Sequence, residues 1–579
     1  MYGPTVLGAV RSLPASPVPP DLLDDAQTLG GALLTLAERF PQFECLTILN
    51  RDLREERRTF GELWTRARQI QGLLASAGFT PGSIVIIVMP TGAELLAAYF
   101  GVLLAGGVPG LVATPSNRYA DETAYSARVG AILENAQAFA VYADDQIATL
   151  LRAQAAVLPP HTRILTPAQA TTAADAVRVA VDPDLIATVQ YSSGSTGTPK
   201  GVLLSHRAML NNVRAVRDGL GLTPRDVSVN WIPLYHDMGL IDAFLLPMLS
   251  GCPTVLIPTM DFMREPSLWL RAVHRYSGTI SWAPNFAYAI CARRVPAAEL
   301  EGLDLSSWRI AINAAEPVLM HTVEDFSTRF AAYGFRPEAM TPAWGLAENV
   351  TIATAHPVGA APVAEHIDRQ ALATEHVARA VPPAAGTLSS VAIGRCLPRC
   401  ALDIRGPRNE SLPDRAVGTV WLHSDSLFAA YLRDPALTST VLIDGWLNTG
   451  DRGYRVGEDL YFVSREKDLI VIGGEKYAPH DIEVVINRVA GVREGCVVAF
   501  GILDDQRGTE TVAAVVETKE TDAAALEALR DDIRRQVNQT TGLGLRHVLL
   551  VAPGGVEKTT SGKLARRATQ RRYAEQLAL

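Results

Sequence analysis

Only six lysines serve this chain of 579 residues, which otherwise takes its positive charge from arginine. Two of the six close short loops of hydroxyl and glycine residues. Lys200 ends the run Tyr191-Ser192-Ser193-Gly194-Ser195-Thr196-Gly197-Thr198-Pro199, ahead of Gly201, and Lys563 ends Thr559-Thr560-Ser561-Gly562. An ammonium is a mobile point charge, whereas a guanidinium is a planar fork. Glycine lets backbone N–H groups close around phosphate oxygens. The first loop is not a Walker A sequence, because Gly201 and not Ser or Thr follows Lys200. Two loops of this type predict nucleotide chemistry.

Elements of an α/β fold must position these loops. Short apolar runs alternate with helical patterns from about Gly30 to Val350. Ile84–Met89 and Leu185–Tyr191 read as buried strands, and Ala93–Leu104 and Ser205–Gly219 as helices, the latter capped by Ser205. The alternation predicts parallel sheets covered by helices. From His356 to Leu388 the texture changes to Ala, Val and Pro, with a helical island expected at Asp368–Ala380, as in an insertion. A smaller unit follows, with strands at Cys496–Ile502, Val512–Thr518 and His547–Val551 and helices at Pro479–Val489 and Ala523–Val537. The expected organisation is a large N-terminal domain over 1–466, interrupted at about 356–388, and a small mobile α+β domain over 467–579, hinged near Lys467.

Composition narrows the function. A net charge of -8 excludes a generally basic nucleic-acid binder. Apolar stretches such as Ile84–Met89 fall short of the roughly 18–20 residues of a membrane span. The first twenty residues carry five prolines without a charged-then-apolar layout, so no signal peptide is read there, and scattered cysteines fit a reduced, cytoplasmic setting.

The run Tyr191–Gly201 resembles the pyrophosphate loop of the adenylate-forming superfamily, which holds acyl-CoA synthetases, luciferases and adenylation domains. Further motifs follow in that superfamily's order: Trp344-Gly345-Leu346-Ala347-Glu348, Thr449-Gly450-Asp451, Arg465-Glu466-Lys467-Asp468 and Thr560-Ser561-Gly562-Lys563. Narrower features are similar to the fatty acyl-AMP ligases: Pro233 to Leu240 (with Tyr235-His236-Asp237-Met238-Gly239), Ala283 to Tyr288, Asn313-Ala314-Ala315-Glu316-Pro317, and the insertion with His366-Ile367-Asp368-Arg369. Asn313-Ala314 and Ser464 depart from that pattern, and Gly474-Glu475-Lys476 is closer to the coenzyme A synthetases.

The resemblance implies roles. Ser192, Ser193, Gly194, Ser195, Thr196, Gly197, Thr198 and Lys200 bind the phosphates of ATP, and Glu348 holds Mg²⁺, a hard cation that favours carboxylate oxygens. Ala314, Ala315 and Glu316 line the adenine edge through backbone groups, Trp344 offers it a flat face, and Gly345, Leu346 and Ala347 complete the nucleotide site. Asp451 accepts from the ribose hydroxyls, and Arg465 contacts ribose or α-phosphate. Lys563 bridges carboxylate and phosphate, and His236 stands at the mouth of the acid pocket as the third catalytic residue. Trp231, Met238, Trp282, Asn285, Phe286 and Tyr288 are expected to form an apolar slot, with Asp237 structural.

The implied reaction is ATP-dependent activation of a carboxylic acid, fatty by the resemblance, to acyl-AMP. The acyl group then passes to the phosphopantetheine thiol of a separate acyl carrier protein. The alternatives are an acyl-CoA synthetase or an adenylating enzyme for an aryl or amino acid. A non-catalytic binding protein on this fold is opposed by the joint presence of Lys200, Glu348, Asp451 and Lys563. The cluster Arg566, Arg567, Arg571 and Arg572 is a candidate docking face for an acidic carrier.

Overall fold

The computed structural model describes residues 10–11, 13–115, 122–154, 158–171, 181–192, 200–384, 387–472, 475–504, 509–559 and 562–577. Its centre is a nine-stranded sheet. Six neighbouring strands run parallel, in the order Met340–Gly345, Ile310–Asn313, Ile280–Ala283, Ser228–Asn230, Thr254–Leu256 and Glu44–Leu49. Glu55–Thr59 closes one edge antiparallel, and Ile352–Ala355 with Arg395–Cys396 the other. Ile280–Ala283 and Ile310–Asn313 are buried along their whole length, as strands covered on both faces must be.

A second parallel sheet orders Val108–Leu111, Ile84–Val88, Ala140–Ala143 and Arg163–Leu165. Two helices pack against each other beside it. Phe60–Ser76 opens with a Thr59/Glu62 capping box, and Ala93–Leu104 is buried on nearly every face. They approach closely at Gly101, where a Cβ would lie 2.8 Å from Ile70 Cβ. Parallel pairing does not extend everywhere the alternation predicts it. Ile186–Ser192 turns back on Lys200–Ser205 as an antiparallel pair, joined on its outer side by Ala430–Tyr431. The short connection between them explains this: seven residues suit a hairpin, whereas a parallel crossover needs a dozen or more.

Beneath the parallel strands lies an aromatic belt. Trp269 is fully buried, with ring centroids of Trp231, Phe262, Tyr288 and Trp308 at 6.2, 5.9, 5.4 and 5.1 Å. Its indole N–H donates to Ser281 Oγ at 3.2 Å, so the polar edge is satisfied inside the core.

The C-terminal portion is α+β with cores of its own. Val492–Asp504, Thr509–Thr518 and Leu545–Val551 form a mixed sheet. Pro479–Asn487 and Ala523–Thr541 pack on one face, burying Ile482, Ile486, Leu529, Ile533 and Val537. Tyr573 and Leu577 cover the other face. This portion meets the large body partly through charge. Arg293, on helix Asn285–Arg294, pairs with Glu494.

The expected helical island at Asp368–Ala380 is smaller than predicted. Only residues 369–375 are helical, the last five, Ala371–Glu375, as a π turn. Asp368 Oδ1 accepts from the Gln370 and Ala371 N–H groups and starts the turn; His376, at a left-handed φ of 56°, ends it. The segment is framed by the antiparallel pair Ala364–Ile367 and Leu388–Val391. Arg369, Leu372 and His376 face Tyr477, Asp481 and Ile482 of the C-terminal portion across a cleft of about 30 Å³.

Trp269→Ala is expected to destabilise the large body by about 3–5 kcal/mol, the range for emptying an aromatic site in a close-packed core; urea unfolding followed by tryptophan fluorescence measures it.

Candidate active site

Most of the residues singled out in the sequence lie just beyond the carboxyl ends of the parallel strands. Trp231 follows Ser228–Asn230, Phe286 follows Ile280–Ala283, Ala314 to Glu316 follow Ile310–Asn313, and Leu346 to Glu348 follow Met340–Gly345. In open α/β sheets this edge is where ligands bind.

The C-terminal portion reaches the same edge with the loop that carries Lys563. Lys563 Nζ lies 2.9 Å from His236 Nε2. Its loop is a tight turn: Thr559 N–H donates to Lys563 O at 2.7 Å, Gly562 N–H to Thr559 O at 2.9 Å, and Lys563 N–H to Thr559 Oγ1 at 3.1 Å. Gly562 has φ 94°, and a Cβ there would touch the Phe286 ring at 3.4 Å. His236 is fixed by a turn whose Gly239 cannot carry a side chain, since a Cβ would lie 2.1 Å from Pro233 O.

Proton placement follows from donor counting. An ammonium can only donate, so His236 Nε2 accepts, and Nδ1–H faces Asp237 Oδ1 at 2.6 Å. Met238 N–H donates to the same carboxylate oxygen at 2.7 Å. Burial alone would raise the Asp237 carboxyl. The His236 N–H, the Lys563 ammonium and the Met238 N–H outweigh burial and hold it below its ordinary value. Lys563 itself is lowered, because burial and the charge of Arg465 outweigh the support of Asp237 and Glu316.

A second group gathers around Glu348. Its Oε1 accepts from Tyr431 O–H at 2.6 Å, and the Tyr431 ring lies 5.3 Å from Lys200 Nζ. Among the described residues no cluster of three or more His, Cys, Asp or Glu exists. One carboxylate with an oxygen to spare nevertheless suits Mg²⁺, which commonly takes one or two carboxylates, substrate phosphates and water. Beside Glu348, the Trp344 indole N–H donates to Asp451 Oδ2 at 2.9 Å, and Arg465 Nε lies 3.3 Å from Asp451 Oδ1. Gly345, Leu346 and Ala347 span the two pairs. Lys467, in the turn Glu466–Asp468, is lowered by burial and then by Arg465, with Lys200 also acting on it. Arg465 thus acts on both Lys563 and Lys467, and Lys200 on Lys467, so the charges of the two lysine loops and of this turn are felt together.

Ser192 ends its strand in register with Lys200. Ser193, Gly194, Ser195, Thr196, Gly197 and Thr198 lie outside the described residues, as do Thr560 and Ser561. Ala314 is buried; Ala315 holds a left-handed φ of 70°, which turns the chain toward Glu316. Of the six residues expected around the acid, Trp231 and Trp282 are fully buried and Met238 nearly so. Trp231 is stacked on Phe262 at 3.7 Å and meets Phe286 at 6.0 Å. Tyr288 lies between Trp269 and Phe326, its O–H on Ile312 O at 2.7 Å, and Asn285 Oδ1 accepts from Leu319 N–H and Asn313 Nδ2–H. Phe286 is the one beside the Lys563 loop.

Two groups escaped the sequence reading. Tyr431 comes from a two-residue strand with no motif of its own. The Glu316 side chain, expected to matter only through its backbone, accepts from Phe286 N–H at 3.0 Å and faces Lys563 and Lys558; burial raises it. Arg566 is committed within the fold to Glu483 at 2.7 Å and Asp468 at 3.2 Å, and Arg572 pairs with Glu557 at 2.6 Å, so the four arginines do not form one open patch for a docking face.

A family model described as "AMP-binding enzyme" matches residues 35–432. The long-chain-fatty-acid–AMP ligase FadD26 of Mycobacterium marinum is 30% identical over 580 residues, 93% of this chain and 95% of that protein. The medium-chain-fatty-acid–[acyl-carrier-protein] ligase TtuA of Teredinibacter turnerae is 34% identical over 412 residues, 68% of this chain and 64% of that protein. A structure from a study of fatty acyl-adenylate ligases of E. coli and L. pneumophila superposes with a TM-score of 0.89 at 30% identity, covering 96% of this chain and 99% of the other.

Since the Lys563 pKa is lowered, any activity that uses its ammonium should fall as pH rises, through a value below the ordinary 10.5 of lysine. Lys563→Arg should be slower at neutral pH yet lose that alkaline limb, as followed by pyrophosphate release.

Proposed function

The chain belongs to the AMP-binding enzyme family, and on that premise we propose that it is a fatty acyl-AMP ligase. It uses ATP and Mg²⁺ to convert a fatty acid into the acyl-adenylate, and delivers the acyl group to the phosphopantetheine thiol of an acyl carrier protein. The 2.9 Å contact of Lys563 with His236 carries this reading, because it brings a cation of the terminal loop to the edge where strand ends collect nucleotide and acid residues. The names of FadD26 and TtuA support the acid class, and TtuA's name supports the carrier.

In the first step a carboxylate oxygen bonds to the α-phosphorus while the bond to the bridging oxygen breaks, and pyrophosphate leaves with the electron pair. Two anions must meet, so the barrier is largely repulsion and positioning. Lys563, released from His236 by the incoming acid, spans carboxylate and α-phosphate. Lys200 and the loop from Ser192 to Thr198 take the leaving phosphates. Glu348 holds the metal ion, which when bound adds positive charge to the phosphate oxygens. Asp451, oriented by Trp344 and Arg465, receives the ribose hydroxyls. In the second step the carrier's thiolate attacks the acyl carbonyl and AMP departs. The division at 466/467, with Lys467 as hinge, would let Lys563 withdraw before that step.

The insertion supports the choice of acceptor. Its residues Arg369, Leu372, Ala373 and His376 line a narrow cleft with Tyr477, Asp481 and Ile482 of the C-terminal portion, so the insertion stands where it can restrain the placement of that portion.

Mass spectrometry of the nucleotide product from a mixed fatty-acid incubation should find acyl-AMP; formation of ADP or no acyl nucleotide refutes the assignment. Lys563→Ala should lower adenylate formation about 10²–10³-fold, the scale for losing one transition-state donor. Replacing residues 369–376 with a short Gly/Ser link should raise acyl-CoA formation while leaving adenylate formation intact, measured by thioester release onto coenzyme A and onto a holo carrier.

A further inference from the structure

Under the turn that carries Glu348 runs a chain of buried polar groups that the proposed reaction does not use. Asp242, Thr351, Asn212 and Asn349 are 0, 3, 1 and 0% exposed. Asn212, on helix His206–Leu220, donates Nδ2–H to Asn349 O at 3.0 Å and to Ile352 O at 3.3 Å. Those two carbonyls bracket the turn: Asn349 ends the 3₁₀ segment Ala347–Asn349, and Val350 then takes a left-handed φ of 66°. For a β-branched residue that conformation is strained and needs the surroundings to impose it.

The orientation of Asn212 leaves its oxygen toward Thr351 Oγ1, at 2.8 Å. Thr351 Oγ1 also lies 2.9 Å from Asp242 Oδ1. A hydroxyl has one proton for these two contacts. The amide oxygen can only accept, so Thr351 donates to Asn212. The proton between Asp242 and Thr351 must therefore come from Asp242, as a carboxylic acid. Its other oxygen, Oδ2, is buried without a partner, which a neutral carbonyl tolerates far better than a carboxylate would.

We propose that Asp242 is a positioning residue for the metal–nucleotide site: as a neutral acid it donates to Thr351 and, through Thr351 and Asn212, fixes the turn that aims Glu348. Burial pushes its carboxyl well above the usual range, and the nearby charge of Asp237 adds to this. Asp242 sits in the π-helix Met238–Leu245, which begins two residues after His236. The chain thus ties the segment bearing His236 to the turn bearing Glu348. The inference rests on the reading of Glu348 as the metal-holding carboxylate.

The test is calorimetric ATP binding with Mg²⁺ and with chelator, on the full chain, where the Mg²⁺-dependent gain in affinity is the readout. Glu348→Gln should abolish the gain. Asp242→Ala and Thr351→Val should each reduce it about tenfold, the lower end of the range for groups that orient metal ligands. Metal-free ATP affinity should stay within about threefold, since Mg²⁺ joins the phosphates and not the base. Asp242→Asn should keep most of the gain, because an amide N–H can replace the acid O–H toward Thr351. If Asp242→Ala fails to fold, Thr351→Val decides. The proposal falls if a folded Asp242→Ala or Thr351→Val keeps the full gain, or if Asp242→Asn loses as much as Asp242→Ala. A full gain in Glu348→Gln overturns the metal reading on its own account.

Discussion

A desolvated ammonium whose counter-charges lie on another part of the chain organises this molecule. Lys563 belongs to the terminal loop, while Asp237 and Glu316, which sustain its charge, follow strands of the central sheet. Neither carboxylate is free to roam. Asp237 is held by Met238 N–H and His236, and Glu316 by Phe286 N–H. Taking an ammonium out of water is costly unless such partners stand ready. The strand-end edge of the sheet therefore presents fixed carboxylates to the Lys563 ammonium, with His236 as its hydrogen-bond partner.

The rest of the nucleotide side repeats the arrangement of polar groups paired with one another. Asp451 is bonded by Trp344 and flanked by Arg465, and Glu348 by Tyr431, which also faces Lys200. Side chains locked by their neighbours lose little freedom when a ligand binds. The strain at Ala315 and Val350 sits in the same strand-end turns. Such outliers persist where surrounding packing over-determines them, often at functional sites.

Legibility in the sequence followed locality. Lys200, Glu348, Asp451, Arg465 and Lys563 stand in short contiguous motifs, so each is visible without knowing the fold. Ile84–Val88 and Ala93–Leu104 carry enough apolar pattern to be placed to within a residue. Tyr431 is invisible, because its relation to Glu348 spans 83 positions. Asp242 looks like one polar residue in an apolar run; only the folded chain shows Thr351 against it. The direction of Ile186–Ser192 was equally hidden, since an apolar run does not declare whether its neighbour is parallel. The insertion's helix was overestimated because alanine-rich composition favours helix locally, while Asp368 and the left-handed His376 confine it to residues 369–375.

The main core of the large body gathers residues from Val18 to Leu460, and the cores of the C-terminal portion, beginning at Ile470, stay separate from it. What touches across the boundary includes Arg293 with Glu494, groups that water can receive back almost without penalty. An oily seam would have welded the pieces together. A charged fastener of this kind can be opened and remade at little cost, with the packing inside each piece left intact.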